Sequence, residues 1–519
     1  MADQIKLARA LIGVSNKTAL VELAHALVRH GVEIISTGGT RAALQAAAVP
    51  VTAVEQFTGF PEILGGRVKT LHPRIHGGIL ARREDAGDQR QMDEHRLAPI
   101  DLVVVNFYPF EQVTTAKNTP LDDAIENIDI GGPALVRAAA KNFASVAVVV
   151  DPNDYSAITR ELDHSSGALS AATRWRLMRK AFTRVTAYDS AISNWLSAVD
   201  EPSSRLGESF SMAMERAQML RYGENPHQAG ALYGDFQKVA EQLHGRELSF
   251  NNVLDVSSAI NLILDFGDYQ DCVVAVLKHN TPCGVGVAST PVEAWRKALA
   301  TDPDSPFGGI IIANRPWDLE FAGAVDELFT EVLIGPDFSP EVLDFLRKKR
   351  NRRVMRFHPE AVTRNELDVK KVIGGLLVQT PDSKVEDVHQ ARVVTRRPPS
   401  TAERRAMNFG IRVSKHVKSN AIVFVAEDRT LAVGGGATSR IDPVYAAREK
   451  AVRLGVSLQG SVLVSEAFFP FPDGPTLAAE AGATAIAQPG GSSRDAEVIE
   501  AADTLGLAMV FTGIRHFRH

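Results

Sequence analysis

The stretch Val273-Val274-Ala275-Val276-Leu277-Lys278-His279-Asn280-Thr281-Pro282-Cys283-Gly284 joins an unbroken apolar run to a cluster of polar side chains. A valine-rich run of that length reads as a buried strand in a sheet covered on both faces. The Pro-Cys-Gly segment behind it is expected to make the turn. Lys278, His279 and Asn280 are then delivered at a strand end, where open α/β sheets bind ligands and where neighbouring titratable groups can move protons. A solvated lysine and a hydrogen-bonded histidine would look the same in isolation, so the rest of the chain has to decide.

The same alternation of strand and helix runs through the chain. From Leu11 to Asp151 the expected strands are Leu11–Val14, Val32–Ile35, Leu102–Val105 and Val146–Val150. Between the first two, Leu20, Leu23, Ala24 and Leu27 mark an amphipathic helix. Residues 155–198 read as helical, and Asp200-Glu201-Pro202-Ser203-Ser204-Arg205 as a linker. The expected division is therefore 1–199, a linker over 200–215, and 216–519 with a seam near Pro398. Beyond that seam a hairpin (Ala421 to Val425, Leu431 to Val433) and the runs Thr484 to Ala487 and Leu507 to Phe511 continue the α/β pattern.

Composition narrows the function classes. The 519 residues are 45% apolar and 23% charged, with a net charge of −5, so nothing global draws the protein to nucleic acid or to an anionic membrane. Two cysteines, Cys272 and Cys283, exclude a disulfide framework and a cysteine-rich zinc cage. There is no leader-like start and no apolar run of about 18 residues, so a cytoplasmic enzyme is the expectation.

Several strings are too polar and too rich in glycine to be core. Ser15-Asn16-Lys17-Thr18 and Thr37-Gly38-Gly39-Thr40 each open a helix, where free N–H groups favour an anion. Capping by Ser15, Ser36 or Thr37 would explain either loop alone, but two from neighbouring strands point to a phosphate pocket. In Gly65-Gly66-Arg67-Val68-Lys69-Thr70-Leu71-His72-Pro73-Arg74-Ile75-His76-Gly77-Gly78, Arg67 and Lys69 would share one side of an extended segment and clamp an anion or an oxyanion. Asn106-Phe107-Tyr108-Pro109-Phe110 brings Tyr108 to a strand end, and Asp129 and Lys141 supply a carboxylate and a further cation for proton relay during a ring closure or dehydration. In the second half, Arg221-Tyr222-Gly223-Glu224-Asn225, Asn251-Asn252, Ser419-Asn420, Gly434-Gly435-Gly436 with Arg440, Phe468-Phe469-Pro470-Phe471-Pro472-Asp473 and Arg515-His516-Phe517-Arg518-His519 have the same character. Lys348-Lys349-Arg350-Asn351-Arg352-Arg353 reads as a solvated helix end.

Taken in order, these strings resemble the family of bifunctional purine-biosynthesis enzymes that combine AICAR transformylase with IMP cyclohydrolase. The resemblance runs from Val14 to His519. It implies an α/β protein with an N-terminal methylglyoxal-synthase-like (Rossmann-like) domain followed by two cytidine-deaminase-like α/β subdomains without zinc. By that resemblance Lys69, Tyr108, Asp129 and Lys141 are the cyclohydrolase machinery. Ser15, Lys17, Thr18, Thr37, Gly38, Gly39, Thr40, Arg67, Thr70 and Asn106 hold its nucleotide. His279 is the transformylase base, with Lys278 and Asn420 stabilising the tetrahedral intermediate. Arg221, Tyr222, Asn252, Arg440, Phe468, Asp473, Arg515 and His519 line that site. Gly13 departs from relatives that carry a serine there. The resemblance further implies AICAR, FAICAR and IMP as ligands, 10-formyltetrahydrofolate as co-substrate with no tightly bound cofactor or metal, and a homodimer with the transformylase site at its interface. The competing readings are a phosphate-sensing regulatory module in the first half, a zinc deaminase in the second, and a transformylase alone.

Overall fold

Strand Arg9–Val14 sends Leu11 into one buried core and Ala10, Ile12 and Val14 into another. Strand Leu102–Asn106 divides in the same way, Val103 and Val105 against Leu102 and Val104. This period-two split is what a sheet covered on both faces requires. The computed structural model describes residues 3–108, 110–115, 119–200, 206–364 and 366–519; Pro109 and residues 201–205 of the expected linker lie outside them. The chain forms two units, Met1–Glu215 and Arg216–His519.

In the first unit a five-stranded parallel sheet runs in the order Thr52–Ala53, Glu33–Ser36, Arg9–Val14, Leu102–Asn106, Ala147–Val149. The carboxyl ends of the three central strands deliver Ser15, Thr37 and Asn106 to one edge. The expected helical stretch resolves into Tyr155–His164 and Ala171–Asp200, the latter burying Ala181, Val185 and Tyr188 against the sheet's helices.

The second unit is built twice. Its first six-stranded sheet has the order Ala240–His244, Arg353–Phe357, Thr330–Gly335, Gly309–Ala313, Cys272–Lys278, Thr281–Ala288. The second has Arg392–Val393, Ala508–Phe511, Ala485–Gln488, Val462–Ser465, Ile422–Val425, Thr430–Gly434, with the same sequence of parallel and antiparallel pairings. Helices Phe250–Leu264 and Thr401–Ser414 lie in one core shared by both sheets. The edge strands meet where the Val285 N–H donates to Thr430 Oγ1 (2.9 Å) and the Val287 N–H to Asp428 O (2.7 Å).

One expectation about the opening stretch is overturned. The turn is His279-Asn280 itself, with Lys278 paired to Thr281, and Pro282-Cys283-Gly284 belongs to the returning strand. Both turn residues have left-handed backbones, φ 54° and 62°, the requirement of a two-residue type I′ hairpin. Pro282 is tolerated because its strand is at the sheet edge.

Candidate active site

At the carboxyl edge of the parallel sheet, helices Leu20–Arg29 and Gly38–Ala46 both start without a side-chain cap. The residues expected to cap them are engaged elsewhere. Ser36 Oγ donates to Ile12 O (2.7 Å), and Ser15 Oγ lies 2.6 Å from Phe107 O and 2.8 Å from Asn106 Oδ1. Asn106 Oδ1 also accepts from the Ser15 and Asn16 N–H groups, and buried Thr40 exchanges hydrogen bonds with the Val14 backbone. Asn106 and Thr40 therefore shape the loops and have little left for a ligand. What stays open is a helix start beside two ammonium groups. A Cβ on Gly38 would stand 3.6 Å from Lys69 Nζ, and one on Gly39 4.0 Å from Lys17 Nζ. Thr18 and Thr37 rim this opening, which combines amide dipoles with positive charge.

Lys69 and Arg67 part company. Leu64–Gly66 is a 3-10 turn and further i→i+3 bonds follow, so residues two apart point about a third of a turn away from each other and not to one side. Arg67 pairs with Glu126 in solvent, whereas Lys69 lies 3.5 Å from Glu62 and close enough to Asp129 to act on its charge. Asp129 is half-buried at the start of helix Gly131–Lys141, its Oδ1 accepting from the Gly132 N–H at 2.8 Å. Burial raises its pKa, against the opposing pull of the Gly132 and Tyr108 N–H groups and the Lys69 charge. Thr70 Oγ1 packs against Gly131, 2.8 Å from where a Cβ would be. Lys69, Asp129, Thr70 and the backbone of Tyr108 are thus brought together. Lys141 is not. It closes an 11-residue helix that starts beside Asp129, about 16 Å away along the axis, at the opposite edge of the sheet. His72 caps helix Pro73–Leu80, accepting from the Arg74 N–H, and His76 is a half-buried histidine whose pKa burial lowers.

In the second unit a cavity of about 420 Å³ is lined by Arg221, Tyr222, Asn252, Lys278 and His279. It opens at the amino ends of the parallel strands Gly309–Ala313, Thr330–Gly335 and Arg353–Phe357, and Lys278 and His279 reach it from the end of their own strand, as expected. Cys272–Lys278 and Ala240–His244, each antiparallel to a neighbour, bring their carboxyl ends there. Lys278 Nζ donates to Phe307 O (2.9 Å). Asn252 is buried and completes a capping box with Ser249 while donating to Glu331 (3.0 Å). Arg221 stacks over Tyr222 at 4.8 Å.

Pattern reading missed five charged members of this wall. Asp255 lies three residues beyond Asn252 on the same helix, a spacing that marks a shared face. Burial raises its pKa, with the Asn280 N–H and the His279 charge opposing and Glu331 adding to the rise. Glu331, Arg246, Arg352 and Arg353 are the others. The run expected to be a solvated helix end is exposed from Lys348 to Asn351 and turns inward only at its last two residues: Arg352 pairs with Asp326, and Arg353 donates to Glu247 O (2.9 Å) near Glu331. Burial lowers the Arg353 pKa, with Glu331 opposing and Arg246 and Arg221 adding to the fall, so the three guanidinium groups share one neighbourhood.

The remaining candidates gather elsewhere. Arg440 is buried and spent on Glu466, Ser465 and the Asn420 carboxamide (2.6 Å); it orients Asn420 and is not free to clamp a nucleotide. Asp473 starts helix Asp473–Ala481, and Phe468 precedes it. Arg515 stacks on Phe517 at 4.3 Å, and His519 is exposed beside the same ring. Among the described residues, none of these lines the cavity beside His279.

Residues 139–450 match the model of the AICARFT/IMPCHase bienzyme, and residues 19–134 that of the MGS-like domain. Among curated relatives the chain is similar to the bifunctional purine biosynthesis protein PurH of Chloroflexus aurantiacus, 50% identical over 519 residues with 100% of both chains covered. The protein of the same name from Myxococcus xanthus is 50% identical over 526 residues, covering 98% of this chain and 100% of its own. That of Chlorobium chlorochromatii is 46% identical over 527 residues, with 100% of both covered.

Proposed function

Because the chain belongs to the AICARFT/IMPCHase bienzyme family, we propose that its two sites divide the reactions between the two units. The protein is a bifunctional purine-biosynthesis enzyme, an AICAR transformylase and IMP cyclohydrolase, with 10-formyltetrahydrofolate as co-substrate. The regulatory, deaminase and single-activity readings fall away with full-length similarity to bifunctional relatives.

Formyl transfer belongs to the cavity of Arg216–His519. The observation that carries this is the delivery of Lys278 and His279 together to a cavity walled by Arg221, Arg246 and Arg353. Those guanidinium groups suit the nucleotide phosphate. The AICAR amine is conjugated with its ring and a poor nucleophile, so its attack on the formyl carbon needs a base and a stabilised oxyanion. His279 takes the amine proton, Lys278 stabilises the oxyanion, and the folate nitrogen leaves with a proton. Cyclisation belongs to the edge holding Lys69 and Asp129. The phosphate lies at the start of Gly38–Ala46 beside Lys17, Lys69 polarises the new formyl oxygen, and Asp129 accepts a carboxamide proton as that nitrogen closes the ring and water departs.

A homodimer completes the transformylase site in this reading. Asn420, Phe468, Asp473 and Arg515 lie apart from the His279 cavity, which supports their reaching a partner's cavity instead. Similarity to purine-biosynthesis enzymes supports a cytoplasmic location. The test supplies AICAR and 10-formyltetrahydrofolate to the Lys69→Ala variant. Accumulation of FAICAR is expected; IMP formed at the wild-type rate would remove Lys69 from the site.

A further inference from the structure

The hairpin tip that carries His279 is held by the chain's penultimate residue. Arg518 Nη2 donates to Ser258 Oγ at 3.0 Å, and Ser258 Oγ lies 3.1 Å from Asn280 Oδ1. A guanidinium has only donors, so the Ser258 hydroxyl must accept from Arg518 and give its single proton to Asn280. The Asn280 N–H goes to Asp255. The backbone N–H and the side-chain Oδ1 of a turn residue with φ 62° are therefore both held from helix Phe250–Leu264. Arg518 is anchored in turn on the other catalytic string. Its N–H donates to Ser419 Oγ (3.1 Å), and its carbonyl accepts from the Ser419 N–H (3.0 Å), next to Asn420. Its second guanidinium nitrogen donates to His416 O (3.3 Å).

We infer that Arg518 and Ser258 are positioning residues for formyl transfer, a strut that fixes the left-handed His279-Asn280 turn from the C-terminal tail and ties it to the Ser419-Asn420 segment. Neither is expected to touch substrate; both act through Asn280 on the adjacent His279. The inference rests on His279 being the transformylase base. Small misplacements of a reacting group cost up to about a hundredfold in rate.

The test compares Ser258→Ala, Ser258→Thr, Arg518→Leu and the Ser258→Ala/Arg518→Leu double variant, with His279→Ala as reference. Formyl-transfer kcat, KM for AICAR and calorimetric AICAR binding are measured for each. Ser258→Ala is expected to lower kcat by roughly tenfold to a hundredfold with AICAR binding kept, and Ser258→Thr, which keeps the hydroxyl, to recover most of it. The double variant is expected to be no worse than the poorer single one, because both remove the same strut. Unchanged kcat in Ser258→Ala, or additive losses in the double variant, overturns the inference. If Arg518→Leu loses AICAR binding through misfolding, the two Ser258 variants decide alone. An active His279→Ala enzyme would instead overturn the assignment of the base, leaving a different signature from failure of the strut.

Discussion

The proposed division of labour can be tested one side chain at a time, at His279 and at Lys69. Removing a general base costs about 10²–10⁴-fold, so His279→Ala is expected to lose formyl transfer on that scale while cyclising supplied FAICAR at the wild-type rate. Equal loss of both activities in a folded variant would contradict separate sites. Asp129 adds a pH signature. Burial holds its pKa above the ordinary carboxylate value of 3.8, so cyclisation should fall on the acidic side as Asp129 takes up a proton. Asp129→Asn is expected to abolish that acidic limb along with most of the activity, and a surviving limb would assign it to another group.

At the scale of the element, the glycine turn before Lys69 is the sensitive part of the cyclohydrolase. Gly66 has φ 90°, and a Cβ there would stand 2.4 Å from Glu62 Oε1 and 3.1 Å from Lys69 Nζ. Gly66→Ala strains the backbone and displaces the Glu62–Lys69 pair together. Cyclisation should drop by roughly a hundredfold, with formyl transfer unaffected. A cyclisation rate within a factor of about two of wild type would show that the turn tolerates a side chain and that Lys69 finds its place by other contacts.

For the whole molecule, two predictions concern how distant parts are tied together. His516 is buried between Asp382 (2.6 Å) and Glu386 (2.9 Å); burial lowers its pKa, but the two carboxylates outweigh it and raise the value to about 9 from 6.5. The folded state thus binds this proton more tightly than the unfolded chain. The stabilisation is complete below pH 6.5 and is lost as pH rises through about 9. It should be about 3 kcal/mol, visible as a falling Tm across that window that flattens in His516→Gln. A Tm insensitive to pH in the wild type would refute the raised value. The tail is therefore pinned within its own chain through His516 and Arg518, and does not need a partner to hold it. Assembly has its own test. If the transformylase site is shared, mixing and reassociating His279→Ala with Asn420→Ala should restore roughly a quarter of wild-type formyl transfer, since half the dimers are mixed and each holds one intact site. No recovery from mixed dimers would place both residues in one chain's site.

The sequence by itself determined the α/β class, the strands it marked by apolar runs to within two residues, and the strings proposed to carry the chemistry. Burial on two faces and loops too polar for a core are local properties, written in the order of side chains at Leu11–Val14, Val273–Leu277 or Gly65–Gly78. Which of those side chains converge was decided by tertiary structure. The antiparallel setting of Cys272–Lys278 moved the cavity to the amino ends of its neighbours, and the turn at Leu64–Gly66 sent Arg67 to solvent and Lys69 inward. Helix length carried Lys141 away from Asp129, and a buried partner turned Arg440 from a ligand clamp into a support for Asn420. Asp255, Arg353 and Arg518 acquired their neighbours only through folding. Their partners lie 25, 22 and 260 residues away, in Asn280, Glu331 and Ser258, and no local pattern records a contact made across that distance.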